Sequence, residues 1–310
     1  MQKKPYWRLP EKNLRRYEVE YNGIILLNKP QGPTSHDMIY RMRRIFGTKK
    51  VGHTGTLDPL ATGVLPVCIG NATKASDMLL SERKEYVAEL VFGYSTDTGD
   101  ITGVVKEKCS VLPSEEDVKN VLGGFVGEIM QTPPMYSAKK QGGKKLYELA
   151  REGRTVERKP VPITVHEAEF LGKGALENSY TVRFQCSKGT YIRVLCEDIG
   201  KKLGTLAVMS SLCRTSSGNF RIENSYTVDE LEAMNENELA QSLIKTEDLF
   251  AYKKIYLSAK QSERMKNGVF VSHPEISESN KYCVYDSNGV FFAVAECIDG
   301  RLRIKKSFRS

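Results

Sequence analysis

Between two apolar runs, Gly52-His53-Thr54-Gly55-Thr56-Leu57-Asp58-Pro59-Leu60-Ala61-Thr62-Gly63 crowds three glycines, a histidine and an acid into one short stretch. The glycines open backbone conformations closed to other residues and let a ligand approach the main chain. Pro59 fixes its own φ and biases Asp58 towards an extended geometry, so the acid is held out of any helix. A nucleotide-triphosphate loop would need a lysine directly after the second glycine of Gly47-Thr48-Lys49-Lys50-Val51-Gly52, and His53 stands there instead. A metal site would need more ligands than His53 and Asp58, and no Cys/His cluster lies nearby. A carboxylate acting as nucleophile or general base needs one ionised acid in a pocket and a cation to orient it. That chemistry stays open on these letters, as does a plain tight turn capped by an aspartate.

The elements on either side supply a scaffold. Gly23 to Leu27 is an apolar run with strand character, broken by Pro30-Gln31-Gly32-Pro33. The next segment predicts a helix with Ser35 as N-cap, Met38, Ile39, Met42 and Ile45 at helical spacing, and Gly47 as its stop. Arg41, Arg43 and Arg44 then fall largely off the apolar face, as solvated charges. After the loop, Gly63 to Ile69 is a second β-rich run, and 72–80 suggests a short helix. Tyr86 to Phe92 alternates as a strand with Tyr86, Ala88, Leu90 and Phe92 on one face. Asp97-Thr98-Gly99-Asp100 lacks the sixth-position glycine and the terminal acid of a calcium loop and is a turn. Ser114 caps a helix to Leu122. Strands follow at 163–170 and 179–186, and Gly189 to Gly200 leads from a turn into a helix that carries Arg193.

The chain has 310 residues and a net charge of +8. That length suits about two domains, and the basic balance points to a polyanionic partner, with a merely soluble basic protein as the bland alternative. From Lys139 to Lys159 eight Lys or Arg face three Glu, with Gly142-Gly143, Tyr136 and Tyr147 near or among them. Charge runs are usually solvated faces, but glycine-jointed lysines with tyrosines would also suit a clamp on looped RNA. Residues 1–20 form a basic extension, more a tail than a contact surface. Seven cysteines, odd in number and without a C-x-x-C pair, argue against a disulfide framework and against zinc. No apolar stretch is long enough for a membrane span and no signal-peptide core is present, so a soluble, cytoplasmic protein is expected. After an acidic helical stretch at 227–245, short strands with turns at Gly289 and Gly300 suggest a small barrel over 251–310.

The central loop, with Gly23-Ile24-Ile25-Leu26-Leu27-Asn28-Lys29-Pro30-Gln31-Gly32 before it, resembles the TruB family of tRNA pseudouridine synthases. The resemblance runs on through Lys84-Glu85-Tyr86, Thr96-Asp97-Thr98-Gly99-Asp100, Pro133-Pro134-Met135-Tyr136-Ser137-Ala138, Gly189-Thr190-Tyr191-Ile192-Arg193 and Leu212-Cys213-Arg214-Thr215, covering roughly residues 21 to 250. It implies an α+β catalytic domain over 21–250 with a mixed, mostly antiparallel sheet, an RNA-clamping insertion at 131–159, and a PUA-like RNA-binding module at 251–310. It further implies isomerisation of the T-loop uridine at tRNA position 55 to pseudouridine by base flipping, with no cofactor. Asp58 matches the family's catalytic aspartate, as nucleophile at C1′ or as base on a glycal route. Arg193 matches the arginine that pairs with it, Tyr86 and Tyr191 match pocket aromatics, His53 a histidine set against the flipped nucleotide, and Leu212 an apolar contact beside the base. Each has a bland alternative: core tyrosine, turn-capping histidine, buried leucine. Lys29 with Pro30 is a support for the loop. Cys213 stands where many relatives have arginine, and the N-terminal extension is atypical. The expected partner is the tRNA T-arm, engaged by a monomer with no membrane and no obligatory protein partner.

Overall fold

A computed structural model describes residues 20–79, 83–137 and 139–308. The basic extension before Glu20, Leu80 at the end of the suggested helix, Ala138 and the terminal Arg309 lie outside the described residues. Strand β1 (Gly23–Lys29) is apolar at successive positions because both its faces are covered. Ile25 and Leu27 enter the main core, whereas Ile24 and Leu26 pack with Val64, Cys68 and Ala72 on the opposite side. Helix α1 (Ser35–Ile45) follows, and its N-cap is Thr34, one residue earlier than the sequence suggests. Thr34 accepts from the Asp37 amide while Asp37 accepts from the Thr34 amide, a capping box that satisfies two otherwise orphaned donors. Ser35 is thereby free for another task. Met38, Ile39, Met42 and Ile45 are buried as the spacing requires. Arg41 departs from expectation: it is buried and pairs with Glu232 at 3.4 Å instead of facing solvent.

Strands β2 (Val51–His53) and β3 (Thr62–Ile69) flank the Asp58 loop. The suggested helix over 72–80 is instead a 3₁₀ turn, Gly70–Ala75, leading into the single-turn α2 (Ser76–Leu79). Strand β4 (Lys84–Phe92) buries Tyr86, Ala88, Leu90 and Phe92 in the main core, in keeping with its alternation. The short hairpin of β5 (Tyr94–Thr96) and β6 (Val105–Lys108) carries the Asp97–Asp100 turn. Helix α3 (Glu115–Leu122) starts at a Ser114–Asp117 capping box and leads to β7 (Gly127–Gln131). In the basic segment, β8 (Lys140–Gln141) and β9 (Lys144–Lys145) pair around Gly142 and Gly143, and α4 (Leu146–Arg151) follows. Then come β10 (Val161–Lys173), β11 (Ser179–Cys186), α5 (Ile192–Lys202), β12 (Ala207–Ser217), β13 (Phe220–Arg221), α6 (Val228–Ala233) and α7 (Glu236–Gln241).

One nine-stranded sheet unites this region in the order β1-β3-β12-β4-β11-β10-β7, with β2 attached to β3 and β13 to β12. Every pairing in it is antiparallel except β3 with β12, so the sheet is mixed and mostly antiparallel, as expected. Helices α1, α3 and α5 contribute apolar side chains to the core on one of its faces. The parallel junction matters most for the site, because it sets the C-terminal end of the Asp58 loop against β12. The β12–β4 register then places Leu212 opposite Ala88 and Arg214 opposite Tyr86.

The C-terminal elements β14 (Lys253–Tyr256), α8 (Ala259–Lys266), β15 (Lys281–Tyr285), β16 (Phe291–Ile298) and β17 (Arg301–Ser307) enclose their own core, with Ile255, Val284, Phe292 and Leu302. Their strands form a four-stranded sheet in the order β14-β15-β16-β17, where the sequence suggests a small barrel. Val294 and Phe308 pack against Ala75 of the larger body, and Lys306 reaches Asp77 at 3.5 Å.

Gly63 shows how tightly β3 meets β12. Its φ is +102°, and a Cβ there would lie 2.2 Å from the Arg214 carbonyl oxygen and 2.7 Å from the Arg214 nitrogen. Gly63→Ala combines a left-handed conformation with a backbone collision and should destabilise the fold by at least about 2 kcal/mol. The midpoint of urea unfolding measures this, and an unchanged midpoint would show that the two strands part freely here.

Candidate active site

Asp58 sits at a turn whose geometry is fixed from below. The Ala61 amide donates to the Asp58 carbonyl at 3.1 Å, and the Gly32 amide donates to the Pro59 carbonyl at 2.8 Å. Leu57, Leu60 and Ala61 bury their side chains and anchor the turn in the core. Ser35, released from capping duty, accepts from the Leu57 amide at 2.8 Å and donates to the Leu57 carbonyl at 2.9 Å. Lys29 is fully buried and donates to the carbonyls of Ala61 at 2.7 Å and Pro30 at 2.9 Å. Burial lowers its pKa from 10.5 to about 8, with the Asp58 charge the main opposing influence. The lysine therefore supports the loop, as the sequence suggests, and stays cationic at neutral pH. With its backbone held this way, the turn leaves the Asp58 side chain 41% exposed.

The orienting cation is Arg193, on the first turn of α5. Its Nη2 lies 2.8 Å from Asp58 Oδ2, and its side chain is only 6% exposed. The same nitrogen donates to the Tyr136 carbonyl at 2.9 Å, while Nη1 donates to the Thr98 carbonyl at 2.8 Å and lies 3.8 Å from Asp100 Oδ2. Asp100 is itself buried and is held by the hydroxyl of Thr98 and the amide of Thr102. The planar fork of an arginine can serve several acceptors at once in fixed directions. Arg193 uses it to lock Asp58 to two other loops. The Asp97–Asp100 turn thus has a structural purpose that its letters alone conceal.

The helix start that presents Arg193 is secured by Gln131. Its side-chain amide accepts from the Tyr191 amide at 2.8 Å and donates to the Tyr191 carbonyl at 3.1 Å. This satisfies backbone groups at an N-cap whose own side chain makes no capping bond. Tyr191 is half-buried, two residues before Arg193, and among the described residues no hydrogen bond or ion pair engages its phenol. Nothing in the sequence marks Gln131 for this role. Asp100 and Arg214 lie inside motifs quoted for the resemblance, yet neither receives a function from it.

Tyr86 and Leu212 lie on neighbouring strands under the carboxylate's side of the sheet, each 8% exposed and part of the main core. Burial pushes the Tyr86 phenol up, opposed by the nearby Arg214 charge. His53 closes β2 and is partly buried; its Nδ1 accepts from the Gly55 amide at 3.3 Å. The turn-capping role is therefore real, and it directs the proton of the neutral ring to Nε2. Burial, followed by the charges of Arg214 and His36, lowers the His53 pKa from 6.5 to about 4. The geometry thus joins Asp58 directly to Arg193, sets His53, Tyr86 and Leu212 on the same loop and neighbouring strands, and puts Tyr191 at the start of the helix that carries Arg193. An exposed carboxylate on a buried guanidinium, with aromatic and apolar neighbours, can act on an electrophilic carbon or accept a proton. Among the described residues, no group of three or more His, Cys, Asp or Glu is arranged to hold a metal, and no helix is long and apolar enough to cross a membrane. A surface hollow lined by Tyr226, Glu230, Met234 and Glu238 contains none of these residues.

Comparison with known proteins gives concordant matches. Residues 43–192 match the family model described as TruB family pseudouridylate synthase, N-terminal domain, and residues 193–251 match that of the tRNA pseudouridylate synthase B C-terminal domain. The chain is 43% identical to tRNA pseudouridine synthase B of Bacillus cytotoxicus over 282 residues, covering 88% of this chain and 92% of that one. It is also 43% identical over 292 residues to the protein of that name from Caldanaerobacter subterraneus subsp. tengcongensis, covering 94% and 100%. Among solved structures, a crystal structure of a Cbf5-Nop10-Gar1 complex contains a chain that is similar with a TM-score of 0.67 and 26% identity, over 99% of this chain and 91% of that one.

His53 yields a prediction with a definite sign. Its ring takes up a proton near pH 6.5 in the unfolded chain but only near pH 4 in the fold. Between those values the unfolded state binds more protons, so stability present above about pH 6.5 is lost as pH falls towards about 4. His53→Gln should flatten that part of the stability profile, followed by chemical denaturation at several pH values. An identical profile in the variant would contradict the buried, neutral imidazole.

Proposed function

The chain belongs to the TruB family of pseudouridylate synthases, and from that membership we propose that it converts the uridine at position 55 in the T-loop of tRNA to pseudouridine, with Asp58 as the catalytic group. The observation that carries this reading is the 2.8 Å pair between the 41%-exposed Asp58 carboxylate and the buried Arg193 guanidinium. A cation held in this way favours the ionised acid and fixes where its lone pairs point.

The reaction rearranges bonds within one nucleotide. The N1–C1′ bond of uridine breaks, the detached base turns, and C5 bonds to C1′. C5 then loses its hydrogen as a proton and N1 ends protonated, so the base composition is unchanged and no electrons are exchanged with another molecule. Asp58 acts in the first phase, either by attacking C1′ or as the base of a glycal route; both need its carboxylate ionised. The uridine must leave its stack to reach an acid set in a loop, which is base flipping. Tyr86, Tyr191, Leu212 and His53 are the substrate-binding residues in this reading. Ring stacking on a flipped base is worth about 1–3 kcal/mol.

Chain organisation supports the same reading. Lys139, Lys144 and Arg154 of the 131–159 insertion are exposed, as a clamp on RNA requires. Tyr136, near its start, is tied to Arg193 through its carbonyl. We assign 21–250 to catalysis and 251–310 to a PUA-like RNA-binding module whose last strand carries Arg301, Arg303, Lys305 and Lys306. The enzyme would work as a cytoplasmic monomer on the tRNA T-arm.

Asp58→Asn is nearly isosteric but can neither attack C1′ nor accept a proton as a carboxylate does. Single-turnover conversion of tRNA should fall by roughly 10³-fold or more, while tRNA affinity on the same preparation is retained. Conversion within tenfold of the parent protein would exclude Asp58 as the catalytic group.

A further inference from the structure

Strand β7 lies at the edge of the large sheet, and its side chains alternate between a covered and an exposed face. Glu128 and Met130 are exposed, Ile129 packs against the main core, and Gln131, two residues further on that covered face, is 1% exposed. The pattern calls for an apolar residue at the last position, since a buried amide is costly unless it is hydrogen-bonded. Gln131 meets that cost on a single residue, Tyr191, 60 positions along the chain. Its Oε1 accepts from the Tyr191 amide at 2.8 Å and its Nε2 donates to the Tyr191 carbonyl at 3.1 Å.

Tyr191 is the N-cap of α5, extended at φ −98° and ψ 106°, and its carbonyl also accepts from the Val194 and Leu195 amides at 3.1 and 3.2 Å. A residue gripped at both its N–H and its C=O has little freedom left in φ and ψ, and at an N-cap those two angles aim the helix that follows. The Tyr191 ring leaves from the same Cα, and Arg193 lies in the first turn beyond it. The chain leaving Gln131 then returns to this helix start. Pro133 and Pro134, each with φ fixed by its ring, carry it to Tyr136, whose carbonyl accepts from Arg193 Nη2 at 2.9 Å. Arg158 Nη1 donates to the Pro133 carbonyl at 3.1 Å and ties down that connector. Closing a strand end onto a helix needs only an apolar contact, such as Ile129 already makes. What the amide adds is direction.

We propose that Gln131 is a positioning residue for the reaction: by holding both peptide groups of Tyr191 it fixes the direction in which α5 leaves its turn, and so keeps the Arg193 guanidinium aligned on Asp58. This rests on the assignment of Asp58 and Arg193 to the uridine site. Gln131 does not touch the substrate, and its contribution passes through the helix start.

The test is single-turnover conversion at saturating tRNA by Gln131→Met, Gln131→Glu and Ile129→Ala, with tRNA affinity and the urea unfolding midpoint measured on each. Methionine keeps the length and loses both bonds, so its rate should fall by about tenfold to a hundredfold, the scale of lost hydrogen bonds and of a small misplacement of reacting groups. Affinity for tRNA should be retained. Ile129→Ala removes packing from the same strand but leaves the Gln131–Tyr191 bonds in place, so it should lower the midpoint and keep the parental rate at saturation. A parental rate in Gln131→Met, with or without a lowered midpoint, would overturn the proposal. So would a deficit that disappears at saturating tRNA, which would make Gln131 a support for RNA binding, or an equal rate loss in Ile129→Ala, which would make it one contact among several that stiffen β7. Should Gln131→Met not fold, Gln131→Glu decides: it keeps the acceptor for the Tyr191 amide, loses the donor to the carbonyl, and should still lose at least about tenfold in rate. Asp58→Asn measured alongside separates the two levels. An active Asp58→Asn protein defeats the site assignment itself, whereas an inactive one beside a fully active Gln131→Met protein defeats only the role of Gln131.

Discussion

Everything in this candidate site depends on giving one buried guanidinium enough acceptors. Arg193 is 6% exposed, and a charge so far out of water is tolerated only when its donors are satisfied. The acceptors come from three separate loops: Asp58 from the central turn, the Thr98 carbonyl and Asp100 from the β5–β6 hairpin, and the Tyr136 carbonyl from the start of the basic segment. Satisfying the arginine and assembling the site are therefore the same physical event. The arrangement also links the start of the basic segment to Asp58 through a single side chain, so a shift of Tyr136 changes what Arg193 offers Asp58.

A second set of polar groups works on the underside of the loop. Lys29, Ser35 and Arg214 all bond to its backbone or to the strand that leaves it. These bonds hold backbone carbonyls that would otherwise be buried without partners, a cost of about 1–3 kcal/mol each. With the carbonyls directed inward, the Asp58 carboxylate is the part of the turn left for a ligand. The parallel pairing of β3 with β12 makes this possible, because it brings Arg214 beside Gly63.

Much of the scaffold was legible in the sequence because local rules govern it. The apolar run of β1, the alternation of β4 and the spacing of Met38, Ile39, Met42 and Ile45 all report burial directly. Misplacements came where a residue's partner is distant. Ser35 has the letter of an N-cap, but Thr34 with Asp37 makes the better box and Ser35 serves Leu57 instead. Arg41 has the letter of a solvated charge, yet it pairs with Glu232 on α6, which no local pattern announces. At the site, the glycines and Pro59 mark a held-out acid, but the pairing of Asp58 with Arg193 is legible only through family resemblance. The supporting bonds of Asp100, Gln131 and Arg214 depend on register and loop closure, and these emerge only when the sheet is assembled.

The reaction assigned to this site has a signature that no simpler activity shares. Joining C5 to C1′ must expel the hydrogen on C5, whereas cleaving the glycosidic bond alone releases uracil and RNA binding alone releases neither. The decisive measurement is label release from tRNA carrying tritium at uridine C5, with free uracil assayed in the same reaction. Release of one label per modified uridine, without free uracil, is the result expected of an Asp58–Arg193 isomerase. Free uracil with its label retained, or tRNA binding with no release at all, would contradict it.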